Sequence, residues 1–464
     1  MRKSFFVLLL AGCTSVGPDY QRPEIPLPAQ YPAEATATGP TVALDWWVLY
    51  NDATLNELIA SAQKSNADMR LAAARVQEAE AVFREARGAL FPEVTGGYSA
   101  TRSKVSTRTE PPPQSIVGLE RSQHQLLAST NFEIDFWGKF SRANEAAQAN
   151  LLSSRLSQDV VALTLAGATA QTYFALRSLD AQVEVLENTI RVRRDSLTIA
   201  QTRAEAGLAS DLDVYQARSA LADALVQQRD ARRTRSLVER QLGQLSGRLD
   251  LKIASGGDLF ALPLPPVPPA GMPSTLLERR PDIRAAEESL VAANAQIGVA
   301  RAALFPTISL TAALGAQSAE LSNLLASGAG IWSLGFGLAL PIFDAGRRSA
   351  RVDQATARRE QSVANYQRSV ETAFREVADA LVNVEEFGLA ESDLRERLEA
   401  ARNALDLTRV RYESGYSPYL EVLDAQRTAN DAEIAIVRHR QARLAFTVDL
   451  MKALGGGWQP KSGR

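Results

Sequence analysis

The stretch "RYESGYSPYLEVLDAQ" at 411–426 repeats, 208 residues further on, the stretch "RAEAGLASDLDVYQAR" at 203–218. Arg, Glu, Gly, Leu, an acidic residue, Val and Ala keep their register in both copies. A second pair extends the likeness: "DMRLAAARVQEAEAVFREARGALFP", ending at Pro92, aligns with "DIRAAEESLVAANAQIGVARAALFP", ending at Pro306, at an offset of 214. The chain is therefore expected to be internally duplicated, with residues 45–261 as one structural repeat and 274–454 as the other. Between them "LPLPPVPPAGMP" at 262–273 carries six prolines, which exclude regular helix and mark a linker.

Each repeat runs a helical stretch into Ala-Leu-Phe-Pro, where the proline stops it. Beyond that proline the period changes to two, and hairpins are expected over about 93–136 and about 307–341. In the first, Leu126, Ala128, Thr130, Phe132, Ile134 and Phe136 alternate with mostly polar neighbours. In the second, Ile308, Leu310, Ala312, Leu314 and Ala316, then Trp332, Leu334, Phe336, Leu338 and Leu340, alternate with small or polar ones. Strands of about ten residues cross a bilayer at a tilt, and small polar inner faces suit a wet lumen. A soluble sandwich would show the same alternation; two such hairpins on an exported chain favour a membrane β-barrel. Four strands cannot close a barrel, and open sheet edges in lipid leave backbone groups unpaired. The barrel must be shared between chains, and a dimer of eight strands or a trimer of twelve both fit the count.

Proline is absent from Ser141 to Ala204 and from Arg348 to Tyr412, tracts of 64 and 65 residues. As helices (about 141–204 and about 348–412) each would extend roughly 95 Å and need a partner along its length. Leu179, Val183, Leu186, Ile190, Arg193, Leu197, Ala200 and Ala204 are spaced alternately by four and three, and Leu394, Leu398, Ala401, Leu405, Thr408 and Tyr412 repeat that seam. This is coiled-coil spacing, which a plain amphipathic bundle would share. Gly207 and Gly415 stand where left-handed backbone angles end such helices. The duplicated motif is thus expected to be a helical hairpin, at the end of each long helix remote from its strands. The fold class is mainly α with a membrane β-barrel.

The N-terminus, "MRKSFFVLLLAGC", has a basic start, an apolar run too short to span a bilayer as a helix, and small residues before the only cysteine. Residues 1–12 read as a signal peptide and Cys13 as a lipidation site, the sole covalent group expected; acyl chains there would anchor the chain to membrane lipid. Residues 13–44 read as a lipidated, extended tether, and 455–464 as a C-terminal tail. Lys and Arg number 51 against 53 Asp and Glu, which gives no electrostatic reason to bind nucleic acid.

With these pieces in place, the chain resembles the TolC-like outer-membrane efflux proteins, in their lipoprotein branch. The resemblance rests on the "LAGC" lipobox, the paired "ALFP" segments, "ERRPDI" at 278–283, "LPIFDAGRR" at 340–348 and "YLEVLDAQR" at 419–427, and it covers nearly the whole chain. It implies a homotrimer with a twelve-stranded β-barrel and a twelve-helix periplasmic α-barrel in the outer membrane. It also implies partnership with a periplasmic adaptor (membrane fusion) protein and an inner-membrane RND-type pump. By motif position, the gate acids of the family fall on Asp213, Glu421 and Asp424, and Tyr412 falls on the tyrosine that links to the first of these. Three copies of Glu421 and Asp424 would ring a constriction with carboxylates, an arrangement that attracts cations and is blocked by polyvalent ones. The tip turns are Gly207 and Gly415, and the family's frequent Arg or Asp is replaced here by Ser417 and Pro418. "ERRPDI" reads as the start of a helix, with Pro281 and Asp282 in its first turn.

No enzymatic constellation stands out. The only two histidines, His124 and His439, have no nucleophile or metal-ligand spacing beside them and are expected at the surface. No metal site is expected, and four methionines, one the initiator, argue against a methionine-lined route for soft metal ions. The expected function is a passive exit duct for small molecules. A duct for protein secretion and a structural periplasmic coiled-coil lipoprotein are the alternatives.

Overall fold

A computed structural model describes residues 15–31, 41–106, 108, 120–271 and 273–459. The expected signal peptide and Cys13 lie outside the described residues. After a 3-10 turn at Trp46–Tyr50, the elements are α1 (Ala53–Ser65), α2 (Ala67–Gly88), β1 (Val94–Lys104), β2 (Glu120–Glu133), α3 (Lys139–Glu205) and α4 (Asp211–Leu245). The second set is α5 (Leu276–Arg279), α6 (Pro281–Ala302), β3 (Thr307–Ser318), β4 (Gly330–Ala339), α7 (Arg347–Glu413) and α8 (Tyr419–Ala453). The duplication holds from α2 onward, whereas α1 has 13 residues and α5 only 4. The long helices α3 and α7 have 67 residues each, α4 and α8 have 35 each, and α2 and α6 have 22 each.

The described chain divides into two compact units. One, comprising Met1–Glu24, Val76–Ser154 and Ala286–Tyr366, holds a single antiparallel sheet in the order β1-β2-β3-β4. The registers Tyr98↔Leu126, Ala128↔Leu314 and Leu314↔Trp332 bring the even-numbered positions of all four strands onto one face. That face carries Val94, Tyr98, Leu126, Phe132, Leu310, Leu314, Trp332, Leu334, Phe336 and Leu338. Its β4 members are strongly exposed, Trp332 at 78%. The opposite face carries Thr95, Ser99, Gln125, Ser129, Asn131, Ser309, Thr311, Ser333 and two close-packed glycines, Gly335 and Gly337, set against Thr311 and Ser309. One face suits lipid and the other water, as the alternation predicts.

The alternation expected to run to Phe136 stops at Glu133. The carboxylate of Asp135 accepts hydrogen bonds from the backbone N–H groups of Phe140 and Ser141 at 3.0 and 2.8 Å, and Gly138 turns the chain at φ 75° into α3. Capping the helix therefore takes Asp135 out of the strand. Below the sheet, Ala146 and Ala149 of α3 meet Ala292 and Ala295 of α6 in a seam of small residues. Residues 15–22, part of the expected extended tether, are pinned against these two helices.

The other unit, comprising Ile25–Arg75, Arg155–Ala285 and Gln367–Arg464, has an apolar core. Trp46, Tyr50 and Ile59 pack there with Tyr173 and Phe174 of α3, Leu242 of α4 and Leu444 and Val448 of α8. Several of its buried charges are paired, as burial requires. Asp180 accepts from Arg235 at 2.7 Å, and Glu239 accepts from Arg235 and from the Ile253 N–H at 3.1 and 2.9 Å. In "ERRPDI", Pro281 opens α6, while Arg280 pairs with Asp282 and Glu376 and donates to the Ala453 carbonyl. The motif is a structural tie, as the sequence implies. Towards the C-terminus, Trp458 Nε1 donates to Asp159 at 3.0 Å.

Candidate gate at the hairpin tips

The two duplicated turns close by the same backbone device. Gly207 (φ 72°) and Gly415 (φ 81°) adopt the left-handed conformation. Leu208 N–H donates to Arg203 O and Gly207 N–H to Ala204 O; Tyr416 N–H donates to Arg411 O and Gly415 N–H to Tyr412 O, at 2.8 to 3.0 Å. This pair of bonds satisfies the last carbonyls of a helix, and a Cβ at the glycine would strain it. The restarts then diverge. Ser210 caps α4 by accepting from Leu212 N–H at 3.2 Å, whereas its counterpart Pro418 offers α8 no side-chain cap.

Between the tips lies a small core of Ala200, Ala217, Tyr412, Tyr419 and Val422. The rings of Tyr412 and Tyr419 are tilted at a centroid distance of 5.3 Å. Arg203, which sequence reasoning missed, places its guanidinium 5.0 Å from the centre of the Tyr412 ring and donates from Nη1 to Glu413 O at 3.0 Å. The signal for it was available: Arg203 and Arg411 are the first residues of the two copies of the motif, and each precedes its glycine by four. Below this core, Gln426 donates to Ser196 at 2.8 Å, and Arg193 on the expected seam pairs with Asp223 at 3.4 Å. Arg193 is also buried, like Leu186, Ile190 and Ala200 of the same seam.

The four expected gate residues are only partly brought together. Tyr412 is 5% exposed, and its hydroxyl has no hydrogen-bond partner among the described residues. Burial raises its pKa, the nearby Asp213 carboxylate raises it further, and Arg203 opposes both. Asp213 is therefore close enough to act on the phenol without bonding it. Glu421 is exposed in the first turn of α8. Asp424 is exposed and pairs with Arg427 at 2.7 Å, a neutralising neighbour that the motif alone did not suggest. Ser417 is half-buried with its hydroxyl unpartnered among the described residues, and Pro418 is exposed. The arrangement is a small apolar core with a few polar contacts around it, and no nucleophile or acid–base pair is assembled there among the described residues.

The histidines separate. His124 lies partly exposed on the outer face of β2, with Nδ1 2.8 Å from the Tyr98 hydroxyl. His439, expected at the surface, is 8% exposed, its ring stacked on Phe387 at 5.3 Å. The face of α8 that carries it packs inward, which a single histidine in an otherwise polar stretch does not announce.

The open sheet with one apolar face, the pair of long helices and the duplicated tips define an outer-membrane channel subunit. The outer membrane efflux protein family model matches residues 58–248 and again 272–456, one match per repeat, and the chain belongs to that family. It is 36% identical to the toluene efflux pump outer membrane protein TtgF of Pseudomonas putida, over 97% of this chain and 95% of that one. It is 33% identical to the cation efflux system protein CusC of Escherichia coli, over 97% of each. A solved CusC structure superposes with a TM-score of 0.86 at 31% identity, covering 96% of this chain and all of the other. The protein is an efflux channel of the outer membrane.

Proposed function

We propose that three copies of this chain close a twelve-stranded barrel and a twelve-helix periplasmic α-barrel, forming a passive exit duct. The carrying observation is the open sheet: β1 pairs only with β2 and β4 only with β3 among the described residues, on a sheet whose outer face is apolar. Each edge group left unpaired in lipid costs several kcal/mol, so the edges call for neighbouring copies. In this reading cargo arrives from an inner-membrane RND-type pump through a periplasmic adaptor seated on the helical hairpins. Acyl chains on Cys13 add a lipid anchor, no chemistry is done on the cargo, and no cofactor takes part. The tips form the gate, with Glu421 and Asp424 around the constriction and Asp213 and Tyr412 at the link between tips.

The relatives' names point to two cargo classes, toluene and cations. With so few methionines in the chain, we place small organic molecules ahead of soft metal ions. The test is planar-bilayer conductance of the purified, heat-modifiable oligomer. The intact protein should conduct poorly and be blocked by polyvalent cations, and Asp213→Ala with Tyr412→Phe should raise conductance. An oligomer with the mass of two chains would overturn the trimer, and unchanged conductance would overturn the gate. Deletion of the gene should raise susceptibility to organic toxicants and leave secreted protein unaltered; the reverse would favour a secretion duct.

A further inference from the structure

Two of the three strand pairings are local hairpins, but β2 (Glu120–Glu133) and β3 (Thr307–Ser318) come from different repeats and lie far apart in sequence. Such a pairing forms only after a long loop is closed, and a period-two slip would keep its polar and apolar faces intact. Within the sheet, the close approach of Gly315, where a Cβ would collide with Leu126 O, opposes such a slip, and contacts outside the sheet add to it. The helices adjoining these strands, α3 after β2 and α6 before β3, are bridged by the segment Ser15–Arg22, all within one compact unit.

The bridge is specific. Val16 N–H donates to Trp137 O at 3.0 Å, and Trp137 Nε1 donates to Pro306 O at 2.7 Å with its ring stacked on Phe305. On α6, Asn294 donates to Pro18 O at 2.8 Å, and Glu287 accepts from Tyr20 and, through both its oxygens, from Arg22. On α3, Arg142 donates to Asp19 at 2.6 Å. Arg142, Glu287 and Asn294 are all buried, and buried groups of this kind are as a rule hydrogen-bonded; of these three residues only Arg142 leaves an atom, its Nε, without a partner among the described residues. Two glycines let the backbones touch: a Cβ on Gly17 would stand 2.5 Å from Gly298 Cα, and one on Gly298 2.8 Å from Val16 O.

We propose that Ser15–Arg22 is a clasp that sets the β2–β3 register by joining α3 to α6. The segment is thus a working part of the channel wall, over and above any role as a leash for a lipid. Gly17, Asp19, Arg142, Asn294 and Gly298 are its positioning residues.

The test is disulfide formation in the full-length chain in outer-membrane vesicles, mapped by peptide mass. Ser129→Cys with Ala313→Cys reports the native register, in which these residues are paired. Asn131→Cys with Ala313→Cys reports a slip of two. Gly17→Leu, Asp19→Ala with Asn294→Ala, and deletion of residues 15–22 should each cause a severalfold loss of the native cross-link and a gain in the slipped one. Gly88→Leu adds the same bulk where nothing lies near and should leave both unchanged. The cross-link lies within one chain, so it reads the clasp whatever the oligomer. A native cross-link that survives deletion of residues 15–22 at full yield overturns the proposal, as does loss of both cross-links without any gain in the slipped one.

Discussion

Arg203, in the last turn of α3, lies over the ring of Tyr412, in the last turn of α7, with 5.0 Å between guanidinium and ring centre. One side chain therefore ties together the ends of the two long helices, and its Nη1 bond to Glu413 O fixes the same point a second time. A partly desolvated cation over an aromatic face contributes about 0.5 to 2 kcal/mol. Arg203→Ala is expected to speed amide exchange in both tips and to raise the single-channel conductance, with Arg203→Lys in between. Equal exchange in the variant and the parent would remove Arg203 from the tip.

Tyr419 should make the tip sensitive to alkali. Burial first, and then its neighbour Tyr412, pushes the phenol from 10.0 up to about 12, with Arg193 opposing. The folded state holds this proton more tightly than the unfolded state, so the associated stability is complete below pH 10 and is lost as pH rises towards about 12. Tyrosinate absorbance during titration should show a late component that Tyr419→Phe removes.

His439 should respond in the opposite direction. Burial beside Phe387 lowers its pKa below 6.5, so the stability it carries is present above pH 6.5 and falls as pH drops through the lowered value. The charged groups beside it on α8 are Arg438, Arg440 and Arg443, and across the seam Arg443 pairs with Glu391 of α7. The fall in thermal midpoint from about pH 7 to about pH 5 should shrink in His439→Leu. An unchanged slope would assign the acid sensitivity to other groups.

The two faces of the sheet can be told apart by charge. Leu334 is 76% exposed on the apolar face, and an arginine near the bilayer midplane of such a face costs about 2 to 4 kcal/mol. Leu334→Arg should lower the yield of heat-modifiable oligomer. Its neighbour Ser333→Arg points to the opposite face and should assemble normally while changing conductance.

The unequal restarts of the two hairpins predict unequal stability. Loss of a serine N-cap costs about 1 kcal/mol, so Ser210→Ala should increase exchange in the first turn of α4 to the level already present in the first turn of α8. Pro418→Ser should slow exchange at the second tip; faster exchange there would mean that the rigid proline matters more than the missing cap.

Much of this protein was legible without coordinates, because its elements are written in patterns that local physics enforces. Proline-free tracts with four-three spacing become 67-residue helices because only a helix satisfies so long a backbone beside a continuous seam. Strict alternation after each Ala-Leu-Phe-Pro becomes a strand with one apolar face, and a glycine in matching places becomes a left-handed turn. The duplication determined that every one of these elements would occur twice.

Tertiary structure decided which groups meet. Asp135 was expected in the strand and caps a helix, because the turn at Gly138 brings it to the free N–H groups of α3. Arg203 finds Tyr412 and Gln426 finds Ser196 across more than two hundred residues, distances over which no spacing rule operates. Sequence could place Asp213 and Tyr412 in one motif pair, but only packing leaves the phenol buried and unbonded beside the carboxylate. The N-terminal segment shows the same division. Its composition says only that it forms neither helix nor strand, while its place on α3 and α6 depends on two glycines whose backbones touch in the folded chain.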